Sequence, residues 1–91
     1  MKFEWDENKN QNNLVKHKID FHTAAGIIYD LNRIEWIDGR TVYGEQRFIT
    51  IGKFLNIIVV LVYTVREQKI RIISAPPAKK QERDLYNEQK R

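Results

Sequence analysis

The chain has no cysteine, a single serine, two prolines and four glycines among its 91 residues. Without cysteine there are no disulfides, no thiolate metal sites and no thiol nucleophile, and nothing suggests export. The lone serine, Ser74, sits inside an apolar stretch, a poor setting for a Ser–His–Asp triad. His17 and His22 are five positions apart with no HExxH or cysteine context, so no metal site is expected. The glycines are scattered and form no phosphate-cradling loop, so no cofactor is expected either. Long hydrophobic runs are also missing. The longest uninterrupted one, Ile57 to Tyr63 (IIVVLVY), falls far short of the roughly 20 residues that cross a bilayer. The opening MKFEWDENKN lacks the apolar centre of a signal peptide, so a cytoplasmic protein with no membrane role is expected.

What is present fits one small domain spanning residues 1–91. A core of this size is modest, which leaves room for a stabilising partner. The formal net charge of +4 is compatible with nucleic-acid binding without establishing it. The run Ile57 to Tyr63 is mostly β-branched and reads as a central strand buried on both faces. Gln46 to Gly52 and Lys69 to Ala75 read as its neighbours. Ile34 to Ile37 alternates like an edge strand, and Phe3-Glu4-Trp5 reads as a brief strand or an anchoring segment. Asp6 and Asp20 are suited to cap helices over Glu7 to Lys18 and Phe21 to Tyr29, and Ala24-Ala25-Gly26 leaves room for close packing. Pro76-Pro77 ends the last strand, and Ala78 to Arg91 reads as a charged terminal helix. The expected class is α+β: a compact antiparallel sheet of about three to four strands, with two N-terminal helices and one C-terminal helix.

Register can be argued from turns. A two-residue turn at Glu67-Gln68 sets Arg66 opposite Lys69, Thr64 opposite Arg71 and Val62 opposite Ile73. A two- or four-residue loop near Lys53 to Asn56 puts Arg47 on the same face. One end of one face then carries Arg47, Thr64, Arg66, Lys69 and Arg71, with Glu45 at its margin. Like charges so close repel each other unless an anion lies among them, which is the footprint of a phosphate-binding surface. The plainer alternative is a solvated face with Glu35, Glu45 and Glu67 as counter-charges.

Metal-free RNA cleavage uses the 2′-hydroxyl as internal nucleophile. It needs a base for that proton, cations for the charged phosphorane and an acid for the leaving 5′-oxygen. Arginine suits the second task through its planar fork of donors. Candidate acid–base groups are His17, Glu45 and Lys16, with Tyr63 a weaker choice because parity turns it coreward. For His17 the alternative is a cap on the end of its helix.

Phe3-Glu4-Trp5-Asp6, Lys9, Asn13, Lys16-His17, Phe21, Ala24-Ala25, Arg40, Tyr43-Gly44-Glu45, Arg47-Phe48, Gly52, Tyr63-Thr64, Arg66 and Arg71-Ile72-Ile73-Ser74-Ala75 together resemble the BrnT toxins of bacterial type II toxin–antitoxin systems. The resemblance runs from Phe3 to Tyr86. It implies a RelE-like ribonuclease that arrests translation by cutting RNA. It implies a BrnA-type ribbon-helix-helix antitoxin as partner, contact with DNA only through that antitoxin, and a toxin dimer or a heterotetramer. On this reading His17, Glu45, Arg47, Arg66 and Arg71 are the catalytic candidates. Lys16, Arg40, Thr64, Lys69, Lys79, Lys80 and Arg83 are the RNA-binding candidates. The sequence departs from the family at Lys18, where glycine is common, and at Pro76-Pro77, where arginine is common. The second departure raises an alternative: a weakened toxin homologue that mainly binds antitoxin and tunes repression. A third reading is an RNA-binding module without cleavage.

Overall fold

A computed structural model describes residues 2–39 and 44–89. Its centre is a five-stranded sheet in the order β1-β5-β4-β3-β2. The strands are β1 (Lys2–Trp5), β2 (Ile34–Ile37), β3 (Arg47–Phe54), β4 (Ile57–Arg66) and β5 (Lys69–Ser74). The expected all-antiparallel sheet of three to four strands is corrected on both counts: β1 adds a fifth strand and pairs parallel to β5. That pairing joins the start of the chain to β5 across more than sixty positions, which no local pattern announces. The other pairs are antiparallel.

Around the sheet lie α1 (Glu7–His17), a single turn α2 (Phe21–Ala24) continued by a 3₁₀ turn (Ala25–Tyr29), and α3 (Lys80–Gln89). Asp6 caps α1 by accepting from the backbone N–H groups of Asn8 and Lys9, and Asp20 caps α2 through Thr23. The four asparagines of α1 are poor helix formers, and two of them are buried where they hold other segments. Asn13 Nδ2 donates to the carbonyls of Ile19 at 2.9 Å and Ala75 at 3.0 Å, and its Oδ1 accepts from Ala75 N at 3.3 Å. Asn10 Oδ1 accepts from Phe21 N at 2.7 Å. The helix is thus fixed by tertiary hydrogen bonds more than by its apolar content. It closes on Lys18, which adopts a left-handed conformation at φ 62° where glycine would be unstrained.

The central strand β4 is covered on both sides. On one face Val59, Leu61 and Tyr63 join Ile70 and Ile72 beneath Phe21, Ala24, Ala25 and Ile27. On the other, Val60 and Ile51 pack under Ala78 and Tyr86 of the C-terminal segment, with Ile49 and Ile58 beside them. Burying a leucine such as the inaccessible Leu61 contributes about 2 kcal/mol. Close packing relies on two glycines. A Cβ on Gly52 would stand 2.9 Å from the Ile27 side chain, and one on Gly26 would strike the Phe54 ring at 2.6 Å. The helix α3 covers only part of its face; the end of the sheet toward the β4–β5 turn carries polar groups instead.

Candidate active site

Two tight turns decide which side chains meet. Leu55-Asn56 joins β3 to β4 and Glu67-Gln68 joins β4 to β5, and all four residues take positive φ, the handedness that matches strand twist. Neither turn has the Asn-Gly pair that prefers this geometry, yet both hold the even register expected from sequence. Arg47 lies opposite Thr64, Thr64 opposite Arg71, and Arg71 beside Glu4 of β1. One row therefore runs Glu4–Arg71–Thr64–Arg47 across four strands, about 14 Å at ordinary strand spacing. A second row, nearer the turn, holds Lys2, Lys69 and Arg66. The expected Val62–Ile73 pair is corrected: a bulge shifts the register, so Val62 faces Ser74 and Ile73 is the extra residue.

The cations are unequally occupied. Arg66 grips Glu45 with two hydrogen bonds, Nη2 to Oε1 at 2.7 Å and Nε to Oε2. This contact, reinforced by the charges of Arg66, Arg47 and Arg71, holds the Glu45 carboxyl below the usual carboxylate range. Arg71 Nη1 lies 3.3 Å from Glu4 Oε2. Among the described residues Arg47 makes no ion pair, and its Nε is buried with no hydrogen-bond partner. Thr64 is buried and donates to the Gln46 carbonyl at 2.7 Å, pinning the chain where β3 begins. Of the expected counter-charges only Glu45 serves this cluster. Glu35 lies on the other face, where it accepts from the Tyr63 hydroxyl at 2.6 Å and pairs with Arg33 at 3.8 Å. Burial, and then Glu35, push the Tyr63 phenol well above its ordinary value, in keeping with its coreward position.

His17 is not part of these rows. It ends α1 and lines a separate cleft of about 500 Å³ with Lys9, Lys16, Asn12, Asn13, Ser74, Pro76 and Lys79. The two places are linked through β5, where Arg71 and Ile73 are two residues apart, about 7 Å along the strand. Of the remaining RNA-binding candidates, Lys69 and Thr64 belong to the rows, and Lys16 and Lys79 to the cleft. Lys80 is paired with Asp84 at 2.8 Å, and Arg83 Nη1 donates to the Ala78 carbonyl at 2.8 Å. Arg40 lies outside the described residues. The proline pair runs on beside β4, with Val60 N donating to the Pro76 carbonyl at 3.0 Å, and Lys79 is the nearest following cation. Among the described residues no group of three or more His, Asp or Glu is placed to hold a metal ion.

Glu4 and Lys2 are the members that sequence reasoning missed. Their signal was the Phe3-Glu4-Trp5 alternation. Phe3 and Trp5 pack on the core, Trp5 edge-on to Phe21 at 6.1 Å, which turns Glu4 to the polar face.

No curated protein matches the chain, and no helix among the described residues is long and apolar enough to cross a membrane. A family model described as "Ribonuclease toxin, BrnT, of type II toxin-antitoxin system" matches residues 5–82. That span includes Glu45, Arg47, Thr64, Arg66, Lys69 and Arg71, and the chain accordingly belongs to the BrnT family of ribonuclease toxins.

Proposed function

We propose that this BrnT chain is a metal-independent endoribonuclease that inhibits translation and growth by cutting RNA at the arginine rows. The observation carrying the proposal is the register that sets Arg47 and Arg71 in one row, with Arg66 beside them and the buried Nε of Arg47 without a hydrogen-bond partner among the described residues. A phosphodiester entering there meets the Arg47 guanidinium, whose Nε has no hydrogen-bond partner among the described residues. It displaces the carboxylates from Arg66 and Arg71, and it meets charge-assisted donors on more than one side. Such donors stabilise the dianionic phosphorane more than the monoanionic ground state, which is the condition for rate enhancement. Glu45 orients Arg66 and stands within reach of the held phosphate. His17, Lys16 and Lys79 engage the strand one nucleotide along, where a phosphate spacing of roughly 6–7 Å fits the separation along β5. Of Lys79, Lys80 and Arg83, Lys79 takes over the missing arginine's place; Lys80 is paired with Asp84 and Arg83 with the Ala78 carbonyl.

In this proposal the architecture is RelE-like, the neutralising partner is a BrnA-type ribbon-helix-helix antitoxin, and the toxin forms a dimer or a heterotetramer with the antitoxin, through which it reaches DNA. The proline pair favours a second reading, a weakened homologue retained for antitoxin binding and repression. Induced expression separates the two. Growth arrest with RNA decay, relieved by the neighbouring ribbon-helix-helix gene and lost in Arg71→Ala, supports the nuclease. Antitoxin binding without arrest or RNA decay supports the second reading.

A further inference from the structure

We propose that Glu4 is the general base of the cleavage reaction, with Glu45 a positioning residue for Arg66. The inference rests on the ribonuclease reading and names the group that removes the 2′-hydroxyl proton.

The two carboxylates of the site are held differently. Both oxygens of Glu45 are taken by Arg66, one by Nη2 and one by Nε. A carboxylate tied at two points, and held below the usual carboxylate range by that contact, is a weak base. Glu4 makes one long contact, Oε2 to Arg71 Nη1 at 3.3 Å, and its other oxygen has no hydrogen-bond partner among the described residues. Its side chain is about one-third exposed (31%), on the edge strand β1, so a ribose can approach it from outside the sheet. Its direction is fixed by the core packing of Phe3 and Trp5 on either side. It stands beside Arg71, so a phosphate on that guanidinium brings its own ribose next to the unpartnered oxygen. His17 lines the other cleft and is absent from the row.

Glu4 takes the 2′-hydroxyl proton as the 2′-oxygen forms its bond to phosphorus. The bond from phosphorus to the 5′-oxygen breaks with its electron pair on that oxygen, which takes a proton from the Lys69 ammonium. The products are a 2′,3′-cyclic phosphate and a 5′-hydroxyl end. Proton exchange with water returns Glu4 to carboxylate and Lys69 to ammonium.

The test is single-turnover cleavage of an RNA oligonucleotide by the purified full chain, alongside binding of the all-2′-deoxy version of the same sequence. Wild type cleaving in parallel establishes the ribonuclease reading independently of Glu4. Glu4→Gln is expected to slow cleavage at least ~100-fold, to leave binding of the deoxy strand within about threefold, and to keep the melting temperature. Added formate is expected to restore part of the cleavage to Glu4→Ala. Glu4→Gln cleaving within threefold of wild type would overturn the assignment. So would a parallel loss of binding and cleavage, which would make Glu4 only a counter-charge for Arg71.

Discussion

Asn13 carries more of this fold than its helix propensity suggests. Its amide ties α1 to the chain on both sides, to Ile19 and to the end of β5 at Ala75. Asn13→Ala strands buried backbone groups and should cost about 2–3 kcal/mol in urea unfolding, with the m-value unchanged. Lys18 is the opposite case. It holds a left-handed cap against its own Cβ, so Lys18→Gly should add about 1 kcal/mol by the same measurement. The departure from the family at this position thus bears on stability. Residue types carried part of the site plainly: Arg47, Arg66, Lys69 and Arg71 could be placed on one face from alternation together with even turn lengths. Glu4 could not, because its membership depends on a parallel pairing that three alternating residues cannot announce. His17 was singled out because imidazole is the ordinary titrating group near neutral pH; its place in a cleft beside the rows, against Ile73 and Ser74, could not be read from the sequence.

At the scale of elements, the polar rows are a product of two turns and one strand. The even turns at Leu55-Asn56 and Glu67-Gln68 were readable as counts, and their φ values confirm the handedness. Their sequences are poor for it. Glu67→Asn with Gln68→Gly should stabilise the β4–β5 hairpin by about 1 kcal/mol while cleavage stays within a few-fold, since neither residue faces a row partner. Unfolding and cleavage measured on the same double variant check both halves. The bulge at Ile73 was invisible in sequence because nothing in RIISA marks an extra residue; its turn residues come later, at Pro76. The second helix was expected as one piece from Phe21 to Tyr29. It breaks into α2 and a tighter 3₁₀ turn, where Gly26 lies against Phe54 and Ile27 against Gly52. Backbone approach to the sheet outweighed helical spacing there.

For the whole molecule, α3 is held to the rest by Tyr86, which is buried and donates its hydroxyl to Asp30. Burial, then Asp30, push the Tyr86 phenol up to about 12. An unfolded tyrosine titrates near ~10, so the folded state holds its proton more tightly. That stability is fully present below about pH 10 and is lost as pH rises from there toward 12. Tyr86→Phe should therefore be less stable than wild type at pH 7 and show a shallower loss of stability above pH 10, read from unfolding across that range. The same small molecule presents a basic end of the sheet face that α3 covers only in part, and it belongs to a family whose toxins act with antitoxins. What joins these is the claim that the arginine rows perform RNA cleavage. The most direct measurement is single-turnover cleavage of a 5′-labelled RNA by purified wild type, Arg71→Ala and Arg47→Ala at equal folded concentration. Wild type should cleave, with each variant slowed by ~10²–10³-fold at unchanged melting temperature; either variant cutting RNA at a rate within a few-fold of wild type would mean that the arginine rows do not perform the cleavage.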